Sequence, residues 1–181
     1  MIRFMKRLAP ALNRGVHRED GNATIEFVLT IPVLLTIFMA SFESGLFMVR
    51  SIMLDQAVDI TMRELRLGHY PAPSSEILKT EICSRTVIFP NCQAQIMIEM
   101  TRISTSNWTM PPRQVNCVDR DEDVQPVTAL QIGQQNDVML MRVCMIQDAM
   151  FPTTGIGLGM NLDAGGGYAL TATTAFVTEP S

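Results

Sequence analysis

The chain lacks charge over one long stretch, and this gap is its most informative feature. Charged residues make up 18% of the 181 residues, against about 25% in an ordinary soluble domain. Between Gly21 and Arg50 the only charged side chains are those of Glu26 and Glu43. Because the deficit is concentrated in one segment, it favours a membrane helix over a uniformly apolar core.

Residues that commonly carry catalysis are also scarce. The chain has two histidines, His17 and His69, and neither is accompanied by a G-x-S-x-G nucleophile motif. The run GIGLG at 155–159 resembles a phosphate loop, but Met160 holds the place of the third glycine and no lysine follows. We therefore predict no enzyme activity, no catalytic residues and no cofactor.

No metal site is predicted either. Asp119, Asp121 and Asp123 match the first ligands of a calcium loop, but Val124 and Leu130 replace the required glycine and glutamate. A solvated acidic loop is the favoured interpretation, and an irregular calcium site is left open. The cysteines lack zinc-finger spacing, and no basic patch with aromatic residues indicates nucleic acid.

The four cysteines instead predict two disulfides. They contain no C-x-x-C pair, and an even number of cysteines is typical of disulfides in an oxidising compartment. Of the three connectivities that four cysteines allow, we favour Cys83–Cys92 with Cys117–Cys144, because the first pair closes a short helix-to-strand turn. Four buried free thiols are the alternative.

The main positive feature is an apolar run of 23 residues from Phe27 to Val49, within a predicted transmembrane helix of residues 22–49. As an α-helix the run spans roughly 34 Å, enough to cross a bilayer. We expect a mild kink at Pro32 and a snorkelling Arg50 at the outer headgroups. The alternative is the buried helix of a soluble protein.

Charge on the two sides of this run predicts its orientation. The leader, residues 1–21, has five basic and two acidic residues, whereas residues 50–181 have nine basic and fourteen acidic residues. Positive flanks stay in the cytoplasm. The leader is therefore predicted to be cytoplasmic, and the domain after the helix to lie on the far side of the membrane.

Helical periodicity continues beyond the apolar run. Leu54, Val58 and Met62 recur at helical spacing, and Gly68 is typical of a helix C-terminus. We predict one helix from about Ala23 to Leu67, on the order of 65 Å long, of which residues 50–70 are the extramembrane continuation.

Residues 71–181 predict a small α+β domain. Its fold class is a long N-terminal helix followed by a short helix and a small, antiparallel sheet of three or four strands. The short helix is predicted over 76–87, and the strands over 94–103, 127–132, 137–147 and 167–178, with loops over 104–122 and 151–166.

Two glutamates in the apolar segment need an explanation, because charge at the edge of the hydrocarbon is costly. A carboxylate at Glu26, in the first turn of the helix, complements the helix dipole. If the chain is cut after Gly21, the new ammonium of Asn22 can pair with Glu26 of a neighbouring copy and set the axial register. A Glu26 that snorkels to the headgroups is the alternative. Glu43 can face a partner helix or reach water.

Gly21, Glu26 and Phe27, followed at once by the apolar run, resemble the processing and assembly segment of type IV prepilins. More specifically, GNATIEFVLTIPVLL, then FESG and MLDQAVD through to Arg63, are similar to the TadE-like family of the Flp, or tight adherence, pilus system. The similarity covers residues 21–67.

This resemblance implies a minor pseudopilin-like protein, single-pass in the bacterial inner membrane, with a periplasmic C-terminal domain. It implies that a prepilin peptidase cuts between Gly21 and Asn22 and removes the leader. The partners implied are a sister pseudopilin and the pilus assembly machinery. Asn22 departs from the aromatic residue of prepilins, which speaks against methylation of the new terminus. An uncleaved single-pass protein with a periplasmic binding domain is the alternative.

Overall fold

The computed structural model describes residues 22–120, 122, 125, 128–152 and 167–179. Within them the chain forms one long helix, two short helices and three strands, which confirms the predicted α+β class. In chain order the elements are α1 (Asn22–Arg66), α2 (Ser75–Ser84), α3 (Cys92–Gln95), β1 (Ile96–Ile103), β2 (Val138–Asp148) and β3 (Gly167–Val177).

Helix α1 is the longest element, with 45 residues and a length of about 67 Å. It continues through Pro32. It ends at Arg66, one residue before the predicted end, and Gly68 follows with a φ of 75°, which suits a glycine that terminates a helix. The N–H of Gly68 donates to the carbonyl of Leu65, and the N–H of His69 donates to that of Glu64, so the last carbonyls of the helix are satisfied.

The strands form an antiparallel sheet in the order β1-β2-β3. Alternate residues of β2 face α1, and Met139, Met141, Val143 and Met145 are fully buried on that face. The weak strand predicted over 127–132 is wrong for its described part, because Leu130 forms only a single parallel bridge to Met100 at the edge of β1.

The core lies between the sheet and one face of α1. Strand β3 runs in the same direction as α1, since the rings of Phe47 and Tyr168 meet at one end and Arg66 pairs with Glu179 at the other. The core residues of α1 are Leu54, Ala57, Val58 and Met62, and those of α2 are Leu78 and Ile82.

Helix α2 begins where the sequence predicted, with Ser74 accepting a hydrogen bond from the N–H of Ile77. It ends at Ser84, three residues earlier than predicted. Val87, the predicted last residue of this helix, is therefore outside it and 89% exposed. The chain turns back at Asn91, in the left-handed conformation, into α3.

Two disulfides hold the irregular segments in place. Cys83 is joined to Cys92 between α2 and α3, and Cys117 is joined to Cys144 on β2, which is the connectivity that the sequence favoured. The second disulfide fixes the segment 104–120 over the face of the sheet that points away from α1. Under this segment Arg142 pairs with Glu99 on the neighbouring strand at 2.7 Å, and both side chains are largely buried.

Candidate functional site

The first twenty residues after Asn22 form a helix that is largely bare of the rest of the described chain. Most apolar side chains from Ile25 to Phe42 are exposed, and none of the most apolar window of α1 is buried within the described residues. A core helix of a soluble protein would bury these side chains. The structure therefore disagrees with the buried-helix alternative and leaves one apolar helix long enough to cross a membrane.

Glu26 and Phe27 lie near the start of this bare segment. Phe27 is 62% exposed, and the Glu26 carboxylate is exposed and has no hydrogen-bond or ion-pair partner in the part of the chain that the structure describes. The first turn is Asn22–Ile25, so Glu26 begins the second turn and not the first as predicted. Gly21 and the leader lie outside the described residues.

Glu43 marks the point at which the α+β domain meets α1. Its side chain is fully buried, and Oε2 accepts hydrogen bonds from the backbone N–H groups of Met150 (3.0 Å) and Phe151 (2.9 Å). Among the described residues Oε1 has no partner. The ring of Phe151 also meets that of Phe42 edge-on at 6.1 Å. One carboxylate therefore holds the segment after β2 against the helix.

Arg50 makes a second junction two turns further along. Its Nη1 donates to the carbonyl of Asp148 at 3.0 Å and to the hydroxyl of Tyr168 at 2.5 Å, and its guanidinium lies 5.8 Å from the centre of the Tyr168 ring. Arg50 therefore binds the end of β2 and the start of β3. The sequence predicted instead that Arg50 would snorkel to the outer headgroups. The Phe47 ring packs on Tyr168 beside it, at 5.5 Å.

A third junction ties α2 to the far end of α1. Arg85 Nη2 pairs with Glu64 Oε2 at 2.6 Å, and Arg85 Nη1 donates to the buried hydroxyl of Thr61 at 2.9 Å. The hydroxyl of Tyr70 donates to the same Glu64 oxygen. This hydrogen bond and the Arg85 charge lower the pKa of Glu64. The resulting stabilisation is present above the ordinary pKa of about 4.3 and is lost as the pH falls through the lower folded value.

All three junctions lie on one face of α1, so the helix and the domain form a single unit from Glu43 onward. Glu43 precedes Leu54 by eleven residues, about three helical turns, which places it on the face that packs on the sheet. That spacing is a signal in the sequence from which the burial of Glu43 could have been predicted. Arg50 and Tyr168, 118 residues apart, had no such signal.

The described part of the chain is thus one apolar helix able to cross a membrane, continued into a small disulfide-bonded α+β domain. Residues 21–63 match the family model described as TadE-like protein, which confirms the resemblance predicted for this segment. The match covers most of α1 and does not extend into the α+β domain. No curated protein and no solved structure matches the chain.

The Glu43 junction predicts a local effect on amide exchange. Replacing Glu43→Ala removes the acceptor for the N–H groups of Met150 and Phe151, and losing such a buried acceptor costs about 1–3 kcal/mol. We expect these two amides to exchange about ten to a hundred times faster in hydrogen-exchange NMR or mass spectrometry of the protein in detergent. Glu43→Gln keeps one carbonyl oxygen and should have a smaller effect.

The control is Ser41→Ala. Ser41 is exposed half a turn away, and its hydroxyl only bonds the carbonyl of Ile37 within the helix. It should leave the two amides unchanged. Unaltered exchange at Met150 and Phe151 in Glu43→Ala would show that the junction does not hold this segment.

Proposed function

We propose that this protein is a minor pseudopilin-like subunit that takes part in assembling a bacterial Flp, or tight adherence, type IV pilus. The observation that carries the proposal is the coincidence of the TadE-like match, residues 21–63, with a helix that is bare at its start and fixed to a domain at its end. Its role is structural and non-enzymatic. A prepilin peptidase removes the leader, and the mature chain packs with a sister pseudopilin.

The proposed membrane span is the bare part of α1, residues 23–42. Twenty helical residues cover about 30 Å, the thickness of the hydrocarbon layer. The span ends at Glu43 because the α+β domain packs on the helix from that residue onward. The proposed span therefore ends seven residues before the predicted end at Val49. The basic leader supports a cytoplasmic N-terminus and a periplasmic domain.

A partner helix has a suitable surface on the opposite side of α1. Met48, Val49 and Ile52 are exposed there, although they lie beyond Glu43. A Cβ added to Gly45 on the same side would meet nothing within 4 Å, so another helix can approach its backbone closely. This apolar stripe continues the bare segment and supports side-by-side packing with a sister pseudopilin.

Glu26 supplies the register between copies. Its carboxylate is exposed on the bare segment and has no partner in the described chain, so it is available to a group from another subunit. After cleavage at Gly21, the ammonium of Asn22 in a neighbouring subunit is such a group. Pairing of the two charges in the low-dielectric membrane favours one axial offset over all others.

The second candidate, an uncleaved anchored binding protein, is favoured by one observation. A groove of about 690 Å³ lies at the end of the domain furthest from the apolar segment, between Tyr70, Met100 and Phe176. Cleavage distinguishes the two candidates, because a membrane anchor requires no processing and an assembling pseudopilin does.

Processing predicts a change in mass. Co-expression with a prepilin peptidase should shorten the chain by about 2 kDa, the mass of a 21-residue leader, and the new N-terminus should be Asn22. Gly21→Ala should block this change, because the peptidase requires the small residue before the cut. Ala23→Gly, two residues beyond the cut, is the matched control and should be processed normally. A mature protein that still begins at Met1 contradicts the pseudopilin proposal.

The register role predicts that Glu26 is needed after cleavage. Glu26→Gln should be processed and inserted normally, yet the number of pili per cell should fall about tenfold or more, since about 1.4 kcal/mol of lost pairing already changes an association constant tenfold. Glu26→Asp keeps the charge and should assemble better than Glu26→Gln. Electron microscopy of piliated cells gives the count. Normal piliation in Glu26→Gln would refute the register role and leave the processing result unaffected.

A further inference from the structure

The segment after β2 forms a tip, residues 149–152, that lies beside the end of the bare helix. Glu43 accepts hydrogen bonds from two backbone N–H groups of the tip, and the Phe151 ring packs on Phe42. Among the described residues of the α+β domain, the tip thus makes direct contact with the end of the apolar segment of α1. It is fixed at the level where that segment ends.

The tip is uncharged, and much of it is exposed. Its sequence is Ala-Met-Phe-Pro, and the side chains of Met150 and Phe42 are 54% and 46% exposed. Together with the side chains of the bare helix they form one continuous apolar surface. Exposed apolar surface of this kind marks a contact with a membrane or a partner. Continuity with the bare helix favours the membrane.

The N–H groups of the tip from Met150 onward do not need water. An N–H group near the hydrocarbon must find its acceptor within the protein. The N–H groups of Met150 and Phe151 are both satisfied by Glu43, and Pro152 has no N–H to satisfy. A loop in water does not need a fully buried carboxylate for this purpose, because water accepts the same hydrogen bonds.

We propose that the tip inserts the side chains of Met150 and Phe151 into the boundary between the lipid headgroups and the acyl chains. The inference rests on the proposed membrane span of α1 and adds a second membrane contact to it. Apolar groups at this boundary sink about 5–10 Å below the headgroups. With two points of contact, α1 and the tip, the domain is held at a fixed rotation about the helix axis.

Tryptophan quenching by lipids brominated on the acyl chains tests this contact. The chain has one tryptophan, Trp108, so a Trp108→Phe background allows a single new tryptophan at each chosen position. The test position is Met150→Trp, with Pro152→Trp as a second tip position. Phe38→Trp on the bare helix is the positive control. Ile132→Trp, exposed beside the groove at the far end of the domain, is the negative control.

In phosphatidylcholine vesicles we expect the Phe38 and Met150 variants to be quenched, each by roughly twofold or more relative to the Ile132 variant. Quenching at Phe38 with none at Met150 and Pro152 overturns the tip contact and leaves the membrane span standing. A tip tryptophan that shifts to the blue only when the sister pseudopilin is added shows a protein contact instead, and also overturns it. Absence of quenching at Phe38 contradicts the span itself.

Discussion

The Glu43 carboxylate, buried against the backbone N–H groups of Met150 and Phe151, is the interaction on which the rest of the structure depends. A buried carboxylate is costly to desolvate, and here it is placed where an apolar helix meets a folded domain. Removing it would leave two N–H groups without an acceptor. The position of this one side chain therefore sets where the exposed helix ends and where the domain begins.

Beyond Glu43 the helix and the domain act as one body. Arg50 holds the ends of β2 and β3, and Arg85 holds α2 to Glu64 and Thr61. Before Glu43, the described part of α1 meets the domain at Phe42, whose ring contacts that of Phe151. A domain fixed to a bare helix suits the proposed pseudopilin role, because the apolar side chains of the helix stay exposed for a membrane or a partner.

Elements with a local signal could be predicted from the sequence. The 23-residue apolar run and the Gly68 stop each depend on neighbouring residues, and both are found in the structure. The described part of residues 127–132 was wrongly predicted to be a strand. The strand propensity of a segment does not show whether it forms a continuous row of hydrogen bonds with a neighbouring strand. The junctions between α1 and distant residues could not be predicted either, because a local sequence pattern does not show which distant group a side chain meets. The partner of Glu43 could not be predicted, because the two groups that it binds are 107 and 108 residues away. They are backbone N–H groups and have no side-chain signature.

We propose that the bare part of α1 crosses the membrane and that the helix beyond Glu43 lies outside the cytoplasm. Each of the four cysteines lies in the described chain and is in a disulfide, so an introduced cysteine is the only thiol. A membrane-impermeant maleimide added to spheroplasts should label Gln56→Cys. It should not label Val33→Cys until the membrane is dissolved. Labelling of Val33→Cys in intact membranes, or of Gln56→Cys only after lysis, would contradict the account.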